Sequence, residues 1–180
     1  MRKLLLISFV LFSLVGNTAW AGMTLSDLTV DFKHLNRDKI LSDWEWLIGS
    51  NKKPILITAT GDAFIQNIKN GNIEFLDVAY GNVTKVAETT DEFKTQLSNK
   101  DFVVNHFFIQ LIGDLKHQKI LLKKGQVYSF RHPIFLGGEN ALENIEVTDI
   151  SVHFSSNGQI YRQVKDLPSG TKVDSVSIEK

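Results

Sequence analysis

The sequence predicts a single α+β domain, in which an antiparallel strand meander packs against several helices. Three features predict it. Apolar residues fall at helical spacing from Ile40 to Ile48, change to strand-like runs between Ile55 and Ala87, and return to helical spacing after Thr89. Strands grouped together and flanked by groups of helices, rather than alternating with them, are the pattern of α+β architecture. No linker-like, repetitive or low-complexity tract interrupts residues 23–180, and 180 residues is the length of one domain.

Asn36 is placed as a helix N-cap, with Ile40, Leu41, Trp44, Leu47 and Ile48 on one apolar face of the helix that follows. Gly49 ends that helix, and Pro54 lies shortly beyond. Trp44 belongs to the buried stripe, while Trp46 falls toward the other side, suiting a binding surface or a second packed layer equally. Residues 55–59 are apolar on both faces and β-branched, as in a central strand. A second strand over 63–68, the Asn70-Gly71 hairpin turn, a third strand over 73–77, the Gly81-Asn82 break and a strand over 83–87 complete the meander.

Thr89 and Glu92 form a capping-box pattern before a short helix carrying Phe93 and Leu97. Residues 101–119 read as one longer helix with Val104, Phe107, Phe108, Leu111, Ile112 and Leu115 as its stripe. Residues 126–130 fit a short strand, and 133–138 a loop whose Gly137-Gly138 pair permits unusual backbone angles. Residues 148–167 carry two patterns: Ile150, Val152 and Phe154 alternate before the turn-like Ser156-Asn157-Gly158, yet Ile150, Phe154, Asn157, Tyr161, Val164 and Leu167 trace a helical stripe. The helix is the reading favoured, with Thr148 as its cap and Pro168 as its stop.

The first 21 residues are a separate matter. Arg2 and Lys3, an apolar run from Leu4 to Val15 and Ala19-Trp20-Ala21 have the order of a cleavable signal peptide, with the cut between Ala21 and Gly22. That run is too short for a membrane span, and no cysteine follows it to carry a lipid, so the expectation is a periplasmic chain without a membrane anchor. The alternative is translation from Met23, which makes the preceding residues a misread extension and the protein cytoplasmic.

Composition excludes several chemistries. The chain has no cysteine, which removes disulfides, thiol catalysis and cysteine metal sites together. Its 20 basic and 20 acidic residues balance, and loss of Arg2 and Lys3 leaves a net charge of −2, which favours neither nucleic acid nor an anionic membrane. His34, His106, His117, His132 and His153 stand at no metal-motif spacing; no phosphate loop or nucleophile elbow is present. Acid pairs such as Asp43 with Glu45 point apart on a helix. The expectation is therefore a protein that is not an enzyme, uses no cofactor or metal and works by binding.

Four segments point to a family when taken together. They are Asp43 to Gly49 (DWEWLIG), Thr60 to Phe64 (TGDAF), Leu136 to Glu139 (LGGE), and the stretch from Thr148-Asp149 through Val152-His153-Phe154-Ser155 and Gly158-Gln159-Ile160 to Pro168. Their order and spacing resemble the C-terminal domain family of type VI secretion immunity proteins, formerly a domain of unknown function and often preceded by a GAD-like domain. The resemblance runs from about Met23 to the end. A looser likeness to the Smi/Knr-type immunity superfamily rests on Ala87 to Phe93 (AETTDEF).

The resemblance implies an antitoxin that binds a cognate secreted effector toxin, in one branch a DNase, and blocks it. No GAD-like domain precedes the match within these residues, and Tyr161 stands where the family often has histidine. A signal peptide further implies a toxin acting in the periplasm. The competing reading is a periplasmic accessory or ligand-binding module with no toxin partner. The partner-binding surface is placed on the 128–138 loop and the final helix, with Tyr128, Arg131, His132, His153, Gln159 and Arg162 as its residues; the same groups could instead tie that loop to the helix.

Overall fold

The computed structural model describes residues 22–168 and 170–179. The expected leader, including Ala21, lies outside them. Five strands, β1 (Thr29–Val30), β2 (Lys52–Thr58), β3 (Ala63–Asn67), β4 (Ile73–Asp77) and β5 (Asn82–Ala87), form one sheet in chain order with every neighbouring pair antiparallel. The chain is thus an α+β domain, as its sequence predicts. β2 begins earlier than residue 55 because Pro54 is admitted to it, pairing with Ile65 beside a bulge that spares the ladder a missing N–H.

A second sheet pairs β6 (Gln126–Phe130) with β7 (Ile145–Asp149). Ala59 stitches the two sheets together: its N–H donates to the Leu28 carbonyl at 2.8 Å, and its carbonyl accepts from the Tyr128 N–H at 2.8 Å.

Helices cover both faces of the meander. On one side α3 (Thr90–Gln96), α4 (Lys100–His106) and α5 (Ile109–His117) enclose a core built on Phe64, Phe75, Phe93, Phe107, Ile112 and Leu115. On the other, α1 (Arg37–Ile40), α2 (Glu45–Ile48) and α6 (Ile150–Val164) enclose Trp44, Ile57, Ile65, Leu76, Ile150 and Phe154. Burial of each such side chain contributes about 1.5–3 kcal/mol. The sheet supplies both cores because its residues alternate: Phe64 serves the first and Ile65 the second.

Three expectations about helices need correction. The first helix is not continuous: a 3₁₀ turn over Ser42–Trp44 separates α1 from α2. The Asp43 carbonyl is drawn out of helical use there, accepting a 2.9 Å bond from Trp46 Nε1. The Asn36 cap is present, its side chain accepting from the Asp38 N–H. The helix expected over 101–119 is also two, broken at Phe108, which adopts φ +45°. Phe107 and Ile109 are both buried, and on one continuous helix residues two apart point in nearly opposite directions. Finally, Thr148 caps nothing, because β7, unforeseen in the sequence, holds it opposite Val127; α6 starts after Asp149. Thr89 does cap α3, while Glu92 reaches back to the Glu88 N–H, one residue further than a standard box.

Candidate functional site

The motif segments converge on the seat of α6. Trp44 Nε1 donates to the Phe154 carbonyl at 2.9 Å inside the second core. Gly158 lies against the Asp43 backbone, where a Cβ would stand 2.7 Å from the carbonyl oxygen, so nothing larger than glycine fits. One turn on, the Tyr161 ring stacks on Trp44 at 6.2 Å and Trp46 at 5.9 Å and meets the edge of Phe135 at 4.7 Å. Trp46 is therefore a second packed layer, with Lys165 Nζ 5.7 Å from its ring centre.

Beside that seat is a polar core. His153 is 4% exposed, its Nε2 3.1 Å from the Gly61 carbonyl and its Nδ1 2.9 Å from Ser129 Oγ. A carbonyl only accepts, so Nε2 carries the proton and Nδ1 accepts from the serine hydroxyl. Burial pushes the imidazole down to about 4, against which the Gly61 bond works only weakly. The adjacent Asp62 is 1% exposed and accepts from the Val78 N–H at 2.9 Å and the Thr60 hydroxyl at 3.1 Å. Burial, helped by the nearby Asp77 carboxylate, raises its carboxyl to about 7. Thr60, Ser129, His153 and Asn157 border a cleft of about 10 Å³, roughly the room of one water.

The loop after β6 is tied by Asn144, which accepts from the His132 N–H at 2.9 Å and donates to the carbonyls of His132 and Glu139 at 2.8 Å each. Gly138 passes so close that a Cβ would sit 1.9 Å from the His132 carbonyl oxygen. Gly138 and Gly158 thus answer to close backbone approaches, whereas Gly137 has open space around it and serves by its φ of +90°.

The residues singled out for partner binding divide accordingly. Tyr128 and His153 are buried, the former donating its hydroxyl to the Ile120 carbonyl at 2.7 Å. Arg131, His132 and Arg162 are exposed, Arg131 holding the Ile145 carbonyl and His132 facing the Leu136 carbonyl. Gln159 is half-buried and pairs with Glu179 of the tail, donating to its carbonyl at 3.3 Å and accepting from its N–H at 2.7 Å. Gln163, one turn along, grips Ser177 in the same way at 2.7 and 3.1 Å. His132 and His153 have separate partners and do not combine.

A feature the sequence reading passed over lies elsewhere. From the last turn of α5 the chain runs Lys116-His117-Gln118-Lys119-Ile120-Leu121-Leu122-Lys123-Lys124, exposed except for half-buried Leu122. The available signal was an apolar triplet between lysines just past a helix end.

Among the described residues no group of three or more His, Asp or Glu could hold a metal, and no helix is long and apolar enough to cross a membrane. Residues 87–161 match the family of the T6SS immunity protein Tdi1, C-terminal. The match supports an immunity role. Trp44 and Gly61, from the two motif segments outside the matched range, bond to Phe154 and His153 within it. The crystal structure of Atu4351 from Agrobacterium tumefaciens shares the fold, with a TM-score of 0.55 and 18% identity over 77% of this chain and 69% of that one. No curated protein matches the chain.

Proposed function

We propose that the protein is an immunity protein that binds a cognate effector toxin of a type VI secretion system and neutralises it without catalysing a reaction. The match to the immunity family over residues 87–161 carries this reading. The polar core supports it: Ser129 and His153 are the nearest approach to a catalytic pair, and both are buried with their hydrogen bonds spent inside the fold. An inhibitor needs such a scaffold and one complementary surface. Clefts of about 30 and 10 Å³ favour this over a ligand-binding module, since small-molecule sites enclose about 300–1,000 Å³.

The signal-like order of residues 1–21 supports a periplasmic location and, with it, a toxin active there. Two measurements test the reading. The effector encoded beside this gene, mixed with the purified protein at micromolar concentration, should form a stoichiometric complex; two species that elute separately would end the proposal. Fractionation of the native host with N-terminal sequencing should give a periplasmic chain starting at Gly22, whereas a cytoplasmic chain starting at Met23 or Thr24 would refute export.

A further inference from the structure

We infer that residues 116–124, at the end of α5, form the surface on which the toxin docks, and that the toxin presents there an acidic patch with an apolar socket for Leu121. The inference rests on the immunity reading and gives it a contact surface.

The segment joins three properties. First, it exposes apolar surface: Leu121 is 63% exposed, the most of any large hydrophobic residue among those described, with Ile120 beside it at 37%. Leu122 between them and the lysines packs against the first core, anchoring the run. Second, it is cationic. Four lysines and a histidine occur in nine residues without an acid. Lys116 is paired with Asp27, but Lys119, Lys123 and Lys124 stand in no ion pair among the described residues. Exposed Asp31, whose carboxyl is lowered first by the Lys33 N–H, also feels the charge of Lys124.

Third, the segment is held rigid. The Ile120 N–H donates to the Leu115 carbonyl at 3.0 Å, and the Ile120 carbonyl accepts from the Tyr128 hydroxyl at 2.7 Å. Lys123 and Gln126 exchange two more bonds, at 3.0 and 3.1 Å. Lys119 adopts φ +60°, a conformation glycine usually supplies at a helix end. An apolar anchor ringed by charge on an already ordered backbone is how tight interfaces concentrate their energy, because little entropy remains to be lost on binding.

Charge complementarity selects the occupant. Three lysines outside any ion pair among the described residues, beside an exposed leucine and with no acid in the segment, complement an acidic partner face and repel a basic one. An anionic lipid surface is the weaker fit, since stable membrane attachment requires a long amphipathic helix or more than one anchor.

The test uses calorimetric titration of the adjacent-gene effector into the full chain: wild type, Leu121→Asp, the triple variant Lys119→Glu/Lys123→Glu/Lys124→Glu, and Lys94→Glu on α3 as a charge control. Leu121→Asp and the triple variant should melt like wild type, because every side chain they alter is exposed; Lys94→Glu gives up an exposed ion pair with Asp91 and should melt only slightly lower. Leu121→Asp and the triple variant should each weaken binding by at least about tenfold, Lys94→Glu should not, and wild-type affinity should fall as salt is raised. A wild-type complex that both variants form equally well overturns the inference while leaving the immunity reading intact. No wild-type complex overturns both. Wild-type binding to phosphatidylglycerol vesicles that Leu121→Asp abolishes, with unchanged effector affinity, would assign the segment to a membrane and also overturn it.

Discussion

At the scale of single residues, His153 and Asp62 flank the same turn and pull stability in opposite directions with pH. Folded His153 stays neutral down to about 4, whereas an unfolded histidine takes its proton near 6.5. Between those values the unfolded chain binds the extra proton, so this contribution is lost as pH falls, by roughly 3 kcal/mol across the window. Asp62 behaves inversely. Its folded carboxyl keeps a proton that the unfolded one releases near 3.8, so its contribution shrinks as pH rises toward about 7. In wild type the two slopes oppose each other, and the half-buried Asp77 carboxyl, also raised, acts in the same direction as Asp62. Asp62→Asn should expose the histidine slope, giving a midpoint that climbs steeply with pH; a curve parallel to wild type would refute the opposition. His153→Ala, which orphans Ser129 and the Gly61 carbonyl and leaves a void, should cost about 2–4 kcal/mol at neutral pH by the same measurement.

At the scale of elements, the meander and the starts of α1 and α3 were legible because local rules govern them. Asn36 and Thr89 cap as their side chains dictate, and strand runs such as Ile73 to Asp77 carry their own turn signals. What escaped was set by distant contacts. Nothing near Phe108 announces a left-handed residue; the break exists because Phe107 and Ile109 must both reach the core. Strand β7 hid beneath a helical stripe that begins only one residue later, although Ile145, Val147 and their polar neighbours alternate. Of the residues chosen for binding, buried His153 lies in a motif segment, and a motif shared across a family marks the scaffold as readily as a contact. Two substitutions probe element ends. Gly158→Ala should destabilise the fold by about 1–3 kcal/mol, because Asp43 backbone occupies the space for the methyl. Lys119→Gly should raise stability by about 0.5–1 kcal/mol through relief of the left-handed turn, read as a higher melting temperature.

At the scale of the whole molecule, two cores share one sheet, and a bound partner stabilises the assembly by mass action. Toxin at about one hundred times its dissociation constant should add roughly 2.7 kcal/mol to the unfolding free energy, seen as a concentration-dependent rise in melting temperature; an unchanged melt would contradict specific binding. The two cores also differ in when they can be completed. The first draws on Leu28, β2 to β7 and the helices between them, whereas the second is closed by α6, and Trp44 bonds to a carbonyl 110 residues downstream. Domains fold from the N-terminus during synthesis, so until α6 has been made the sheet lacks its cover over Trp44, Ile57 and Leu76. The second core therefore closes late, which keeps that face of the newborn chain open to whatever machinery handles it first.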